Sequence, residues 1–175
     1  SFRGFGGEGA VQIAPARGRT STHRLRLRQR MGLGEEKLVQ PGRDHGTVML
    51  PGSIDLFPDL SLNRDLYIWL AAAMAAMPLD PIVETDPLVR DLAVLQRAET
   101  TARAVLAAFP GLARRYRRLC AATLEARQHR PLPSVERHVE NRILHLLHKG
   151  AGLSDGTLPV IFPHRAPSGY LPMLP

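Results

Sequence analysis

The best candidate for a metal site in this sequence is a group of histidines on one predicted helix. His138, His145 and His148 can share a side of that helix because successive residues turn by about 100°, and Glu136 and Glu140 lie nearby. Imidazole and carboxylate groups are common ligands of divalent cations. However, this side lies away from the apolar stripe of the helix, so we expect it to face water among basic residues, which repel a cation. A solvated helix face is the favoured interpretation, and a metal protein is the alternative.

Two other chemical motifs carry less weight. Gly4, Gly6 and Gly9 have the spacing of a dinucleotide-binding loop, but such a loop needs a helix directly after it, and here the chain runs into Pro15. Cys120 falls on the apolar stripe of a predicted helix, where we expect it to fill the core rather than act as a nucleophile. No nucleophile elbow or P-loop pattern occurs. We therefore expect no enzyme activity and no cofactor in this segment.

Arginine is the residue type whose clustering points most clearly to a function. The chain has 23 Lys and Arg against 16 Asp and Glu, a net charge of +7, so it favours acidic partners. Few aromatic side chains accompany the arginines, whereas single-stranded nucleic acids are bound by aromatic rings that stack on bases. A protein partner, a solvated surface and nucleic acid stay open, in that order of preference. The residues predicted to contact a partner are Arg24, Arg26 and Arg28 in one cluster, and Arg114, Arg115, Arg117 and Arg118 in another.

The first arginine cluster is predicted to lie on a β-strand. From Thr22 to Gln29 polar residues alternate with leucine, which places the arginines on one face of a strand and the leucines on the other. Val11 and Ile13 alternate in the same way, and a further short strand is predicted from Thr47 to Leu50. Residues 1–52 therefore indicate a β- and turn-rich subdomain, with a small antiparallel sheet or a pair of hairpins.

The second cluster is predicted to lie on a helix, within a helical subdomain at residues 53–152. The first helix should begin near Ser61 or Asn63, either of which can cap it, and should stop at Pro78. Asp86 and Pro87 form a cap-and-proline start signal for the second helix. The third and fourth helices are predicted from Leu112 to Gln128 and from Ser134 to the residue before Gly150.

The predicted fold class is therefore α+β, a small N-terminal sheet followed by a bundle of about four helices. Regularly spaced prolines in residues 153–175 indicate an extended C-terminal strap or linker. The apolar run from Leu66 to Met77 is shorter than the roughly 20 residues that a membrane-spanning helix needs, so we expect no membrane insertion. With one cysteine and no recognisable signal segment, a cytoplasmic location is expected.

Three segments resemble a known family. The stretches Leu50–Pro58 (LPGSIDLFP), Leu62–Ala71 (LNRDLYIWLA) and Ala107–Leu119 (AAFPGLARRYRRL) are similar in sequence, order and separation to the N-terminal region of the NorD/CbbO family. These are packing and surface motifs rather than catalytic signatures. Within them, Asn63, Arg64 and Asp65 are interpreted as a structural node at a helix start, where a cap and an ion pair fix the chain, in preference to a contact with a partner.

The resemblance implies an adaptor role. Members of this family carry a C-terminal von Willebrand factor A domain with a metal-dependent adhesion site, and they work with hexameric MoxR-type AAA+ ATPases. The NorD branch is linked to activation of nitric oxide reductase, and the CbbO branch to remodelling of inhibited Rubisco. The adhesion-site pattern DxSxS does not occur in this chain, so we expect that domain, its divalent metal and its contact with the target enzyme to lie beyond Pro175. The chain itself is then a non-catalytic module that docks on the ATPase, and a charge-driven nucleic-acid-binding module is the alternative.

Overall fold

The structure is a computed structural model, and it carries both sheets and helices. It describes the chain in several stretches, with gaps between the short N-terminal strands and between the third and fourth helices. The described residues are 2–7, 9–15, 18–20, 37–39, 42–43, 45–127, 137–153, 166 and 170.

The larger sheet consists of the strands β1 (Gln12–Pro15), β4 (Gly42–Arg43) and β5 (Thr47–Leu50), which lie in the spatial order β1-β5-β4. The central strand β5 alternates half-buried residues with the buried Val48 and Leu50, as the sequence pattern predicts for a strand with one face on the core. β1 runs parallel to β5, with Ile13 opposite Val48, whereas β4 is antiparallel to it. The sheet is thus mixed rather than wholly antiparallel.

A second sheet has two antiparallel strands, β2 Gly18–Thr20 and β3 Lys37–Val39. Gly18 lies opposite Val39 and Thr20 lies opposite Lys37. The strand predicted from Thr22 to Gln29 falls outside the described residues.

The helices confirm the predicted α+β class. Short 3-10 turns at Arg3–Phe5 and Pro110–Leu112 precede the sheet and the third helix respectively. In the described part of the chain the α-helices are α1 Leu60–Ala76, α2 Pro87–Ala108, α3 Ala113–Arg127 and α4 Arg137–Ala151.

Aspartates cap the first two helices. Asp86 Oδ1 accepts hydrogen bonds from the amides of Leu88 (2.9 Å) and Val89 (3.1 Å), which confirms the predicted start of α2. The predicted cap of α1 is wrong, because Asp59 caps this helix by accepting from the Ser61 amide at 2.7 Å. Ser61 therefore lies inside the first turn, where its hydroxyl also donates to Asp59 at 2.9 Å.

The end of α4 also differs from the prediction. The helix passes through Gly150 to Ala151, and the chain leaves it at Gly152, whose positive φ of 73° suits glycine. Gly150 lies within the helix, at a point where α4 packs closely on α3. A Cβ atom at Gly150 would lie 2.5 Å from Cys120 Sγ and 3.0 Å from a ring carbon of Tyr116. The glycine is thus a packing residue and not a stop signal.

The sheet and the helices share apolar packing. Phe2, Val48 and Leu50 from the N-terminal part pack against Ala71 and Met74 of α1. One hydrophobic cluster joins α2, α4 and Tyr170, and another joins α1 to the end of α2 and the following turn. Burial of these aliphatic groups is the main stabilising term. Leu119, Cys120 and Leu124 of α3 are buried as well, and α3 packs against α1 and α4.

Two residues of the predicted C-terminal strap are described, and both contact α2 or its cap. The Ala166 amide donates to Asp86 Oδ2 at 2.9 Å, and the Tyr170 hydroxyl hydrogen-bonds to Asp91. Tyr170 is buried in the same apolar cluster as Leu88 and Val139. Separately, no helix among the described residues has the length and apolar character needed to cross a bilayer.

Candidate functional site

The arginines of α3 lie on the outer surface of the bundle. The apolar stripe of this helix, Leu119, Cys120 and Leu124, is buried. The stripe leaves the arginine side chains on the opposite and flanking sides. The four arginines of the predicted cluster do not have equivalent surroundings: Arg115 and Arg118 are held by an acidic residue of α1, whereas Arg114 and Arg117 are not.

Arg115 and Arg118 bind one buried carboxylate. Arg115 Nη1 donates to Asp65 Oδ1 at 2.5 Å, and Arg118 Nη1 donates to Asp65 Oδ2 at 2.8 Å. Asp65 is 3% exposed, so its charge is largely removed from water and needs these partners. Arg118 also donates to Ser61 Oγ at 2.8 Å. These bonds fasten the start of α1 to the middle of α3.

The start of α1 is further fixed by Asn63. Its side-chain oxygen accepts hydrogen bonds from the amides of Leu56 (3.1 Å) and Phe57 (2.9 Å), and its Nδ2 donates to the Phe57 carbonyl at 2.8 Å. Asn63 is 5% exposed. Asn63 and Asp65 thus fix the start of α1, as the interpretation of a structural node expects. Arg64, the third predicted member, is exposed, and the ion pairs of Asp65 are made with Arg115 and Arg118 instead. Ser61 donates to Asp59 beside them and holds the pKa of that carboxyl below its ordinary value.

Arg114 and Arg117 are exposed and make no ion pair with any residue that the structure describes. They are the members of the predicted α3 cluster whose guanidinium groups are available to another molecule. Arg24, Arg26 and Arg28, the other predicted cluster, lie outside the described residues.

The histidine helix does not form a metal site in the part of the chain that the structure describes, where no group of three metal-ligating side chains occurs. His138, His145 and His148 are half-buried, not fully exposed as predicted, because α4 packs between α2 and α3. His148 Nδ1 lies 2.8 Å from the Leu144 carbonyl oxygen. Glu140 is bound in two hydrogen bonds from Arg127, at 3.0 and 2.6 Å. Glu136 lies outside the described residues.

Cys120 is 4% exposed, as its position on the apolar stripe predicts. Burial raises the pKa of its thiol and disfavours the reactive thiolate. Burial likewise raises the pKa of the neighbouring Tyr116 hydroxyl. Neither group has the environment of an activated nucleophile.

Sequence reasoning did not find the apolar groove beside α3. All four helices line this groove, whose volume is about 480 Å³. Trp69 and Tyr116 stack at one wall with ring centroids 4.3 Å apart. Leu106, Leu147 and Ala98 supply further apolar surface. Trp69, the single tryptophan of the sequence, lies in the apolar run from Leu66 to Met77 and was the available signal, since tryptophan often lines contact sites as well as cores.

The rim of the groove is charged. Arg103, Arg117 and Lys149 are exposed there, together with the half-buried Glu99. Glu99 accepts from Arg142 at 2.7 Å and from Lys149 at 2.8 Å. Hydrogen bonding by Lys149 keeps the pKa of Glu99 below its ordinary value, so the carboxylate is ionised at neutral pH. The carboxylate is matched by these two cations, which leaves the rim with a positive surplus.

Comparison with known proteins shows that the sequence is similar to NorD proteins. The chain is 63% identical to Protein NorD of Brucella abortus over 99% of its own length, which spans 28% of that protein. It is 29% identical over 88% of its length to Protein NorD of Stutzerimonas stutzeri, and 36% identical over 72% of its length to an uncharacterized protein of Pseudomonas aeruginosa. The chain thus covers about a quarter of the NorD proteins that it matches. No protein-family profile and no solved structure matches it.

Proposed function

We propose that this chain is the N-terminal region of a NorD-family adaptor and that it docks on a hexameric MoxR-type AAA+ ATPase. In this proposal the module is non-catalytic and cytoplasmic, and it holds no cofactor. A von Willebrand factor A domain, with its divalent metal, follows it in the full-length protein and contacts the target enzyme. The similarity to NorD proteins favours nitric oxide reductase over Rubisco as the enzyme whose remodelling or metal-centre activation is directed.

The observation that carries the docking proposal is the difference among the α3 arginines. Arg114 and Arg117 are exposed next to a pair that is tied to Asp65. The tied pair holds α3 in a fixed position on α1, so the two exposed guanidinium groups project from a rigid support. Arginine presents a planar set of donors that binds carboxylates in bidentate fashion. Such a surface suits an acidic patch on a folded partner.

The same difference favours a protein partner over nucleic acid. Arg115 and Arg118 donate hydrogen bonds to Asp65. The α3 cluster therefore offers fewer free cations to a phosphate backbone than the sequence indicates. Tyr116, the aromatic residue inside the cluster, stacks on Trp69 instead of standing free for a base.

The test is co-purification of the full-length protein with its ATPase after charge reversal on α3. Arg114→Glu combined with Arg117→Glu should abolish co-purification while leaving the circular dichroism spectrum unchanged. These positions are preferred to Arg115 and Arg118, whose reversal would place a second negative charge beside the buried Asp65 and unfold the node.

A matched control is Arg90→Glu combined with Arg137→Glu. Both arginines are exposed and lie in the first turns of α2 and α4. This variant has the same change in net charge and should still co-purify with the ATPase. Undiminished binding of the α3 variant, or equal loss in the two variants, would contradict the proposal.

A further inference from the structure

The groove between the four helices is an apolar surface that none of the described residues covers. Ala98 is exposed on its edge, and Trp69, Leu106 and Leu147 are only half-buried within it. A concave apolar surface bounded by helices is the usual receptor for the apolar face of an amphipathic helix. Tryptophan, tyrosine and arginine, all present here, are the residue types that most often dominate binding energy at interfaces.

The charge of the rim specifies the kind of occupant. Arg103 on α2 and Arg117 on α3 stand on the edge of the groove without an ion pair to any described residue. Among the described residues that line the groove, Glu99 is the one carboxylate, and it is already bound by Arg142 and Lys149, with the charge of Arg103 nearby. A basic peptide would therefore meet uncompensated positive charge, whereas an acidic peptide would meet two available guanidinium groups.

We propose that this groove binds a short amphipathic helix whose apolar side chains enter the groove and whose flanking carboxylates pair with Arg103 and Arg117. Aromatic contact with Trp69 and Tyr116 supplies the anchor, and the guanidinium groups select an acidic sequence over a basic one. This site goes beyond the docking of exposed arginines on a folded ATPase. It makes no assumption about which protein carries the helix.

Trp69 provides a direct readout, because it is the only tryptophan of the 175 residues and it lines the groove. The probe is a synthetic tryptophan-free helical peptide with leucines at positions i, i+3, i+4 and i+7 and glutamates on the flanking positions. Titration into the 175-residue chain should produce a saturable change in Trp69 emission. A sibling peptide with lysine in place of every glutamate should bind about tenfold more weakly or worse.

Two groove variants separate the apolar and the charged contributions. Ala98→Phe fills the edge of the groove from an exposed position and should weaken binding of both peptides. Arg103→Glu combined with Arg117→Glu should remove the preference for the acidic peptide. Arg90→Glu, on α2 but away from the groove, is the matched control and should leave both affinities unchanged.

An independent measurement uses the unmodified chain and therefore does not depend on the folding of a variant. Raising the salt concentration should weaken binding of the acidic peptide, because screening shortens the range of the rim charges. Equal binding of the two peptides, absence of any change in Trp69 emission, or a salt-independent affinity would overturn the proposal. So would a stable dimer by sedimentation equilibrium that is abolished by Ala98→Phe, since the groove would then hold a second copy. Loss of ATPase co-purification does not enter this test, so the two proposals can fail separately.

Discussion

Arginine has a different role on each of two sides of α3, a structural role on one side and exposure to possible partners on the other. On the side that faces the start of α1, Arg115 and Arg118 neutralise Asp65, a carboxylate that is 3% exposed. On the side that faces the groove, Arg117 is exposed and has no ion pair with any described residue. Both sides come from the single stretch Arg114–Arg118. Arginine density alone therefore does not identify a binding surface, and the position of acidic residues elsewhere in the fold decides which arginines remain available.

The energetic consequences of the two sides also differ. Removal of a partner from a buried ion pair leaves an uncompensated charge in a poorly solvated place, which costs several kcal/mol. Removal of an exposed, unpaired arginine costs little, because water solvates the charge in both the folded and the unfolded state. The comparison can thus be tested by stability measurements alone, without knowledge of the partner.

The largest expected effect is at the Asp65 node. Arg115→Ala combined with Arg118→Ala should lower the free energy of unfolding by about 3 kcal/mol, because Asp65 would be left buried without a counter-charge. Urea denaturation at neutral pH measures this change. Adding Asp65→Ala to the double variant should restore part of the loss, since the unpaired charge is then gone. A loss below about 1 kcal/mol would mean that the node is only a surface ion pair.

A smaller effect is expected at the close contact between α3 and α4, beside the groove. Gly150→Ala should lower the free energy of unfolding by about 2 kcal/mol, because the new Cβ would lie 2.5 Å from Cys120 Sγ and the helices would have to separate. Cys120→Ala removes the sulfur atom and should make the Gly150→Ala substitution less costly. Thermal unfolding of the two single variants and the double variant measures this coupling. Additive losses would refute the contact as the cause.

Acidification should produce a modest effect on the rim of the groove. The pKa of Glu99 is lowered from its ordinary value of 4.5, chiefly by the hydrogen bond from Lys149. Its contribution to stability is therefore present above pH 4.5 and is lost as the pH falls through the lowered pKa of the folded state. Urea unfolding at decreasing pH should show a shallower decline for Glu99→Gln than for the unmodified chain. Identical pH profiles would exclude this linkage.

The local parts of the fold were predictable from sequence. Periodicity gave the α+β class and the number of helices, and Asp86 with Pro87 marked the start of α2 because cap and proline act within one turn. The same local reasoning failed at the start of α1, where Ser61 and Asn63 were the predicted caps and the cap is Asp59, two residues upstream of Ser61. It also failed at Gly150, because the sequence does not show that the helix must approach another helix there.

The non-local parts were not predictable. The bond between Asp65 and Arg115 joins residues that are 50 positions apart, and no local pattern connects them. The parallel pairing of β1 with β5 was not predictable for a similar reason, since the alternation of residue types identifies a strand but not the direction of its neighbour. The candidate site was therefore only partly predictable. The sequence located the arginines of α3. Which of them pair with an acidic residue, and which are available to a partner, depends on where α1 lies in the fold.

The smallest expected effect tests that division most directly. Arg114→Ala and Arg117→Ala should each change the free energy of unfolding by less than about 0.5 kcal/mol, because neither guanidinium group has an ion-pair partner among the described residues. Urea denaturation under the conditions used for the Asp65 node makes the two results comparable. The expected combination is a near-neutral effect on stability with weaker binding of a partner, which is the opposite of the result expected for Arg115 and Arg118. If Arg117→Ala proved as destabilising as loss of Arg118, Arg117 would be a structural residue and the groove rim would lose one of its two available cations.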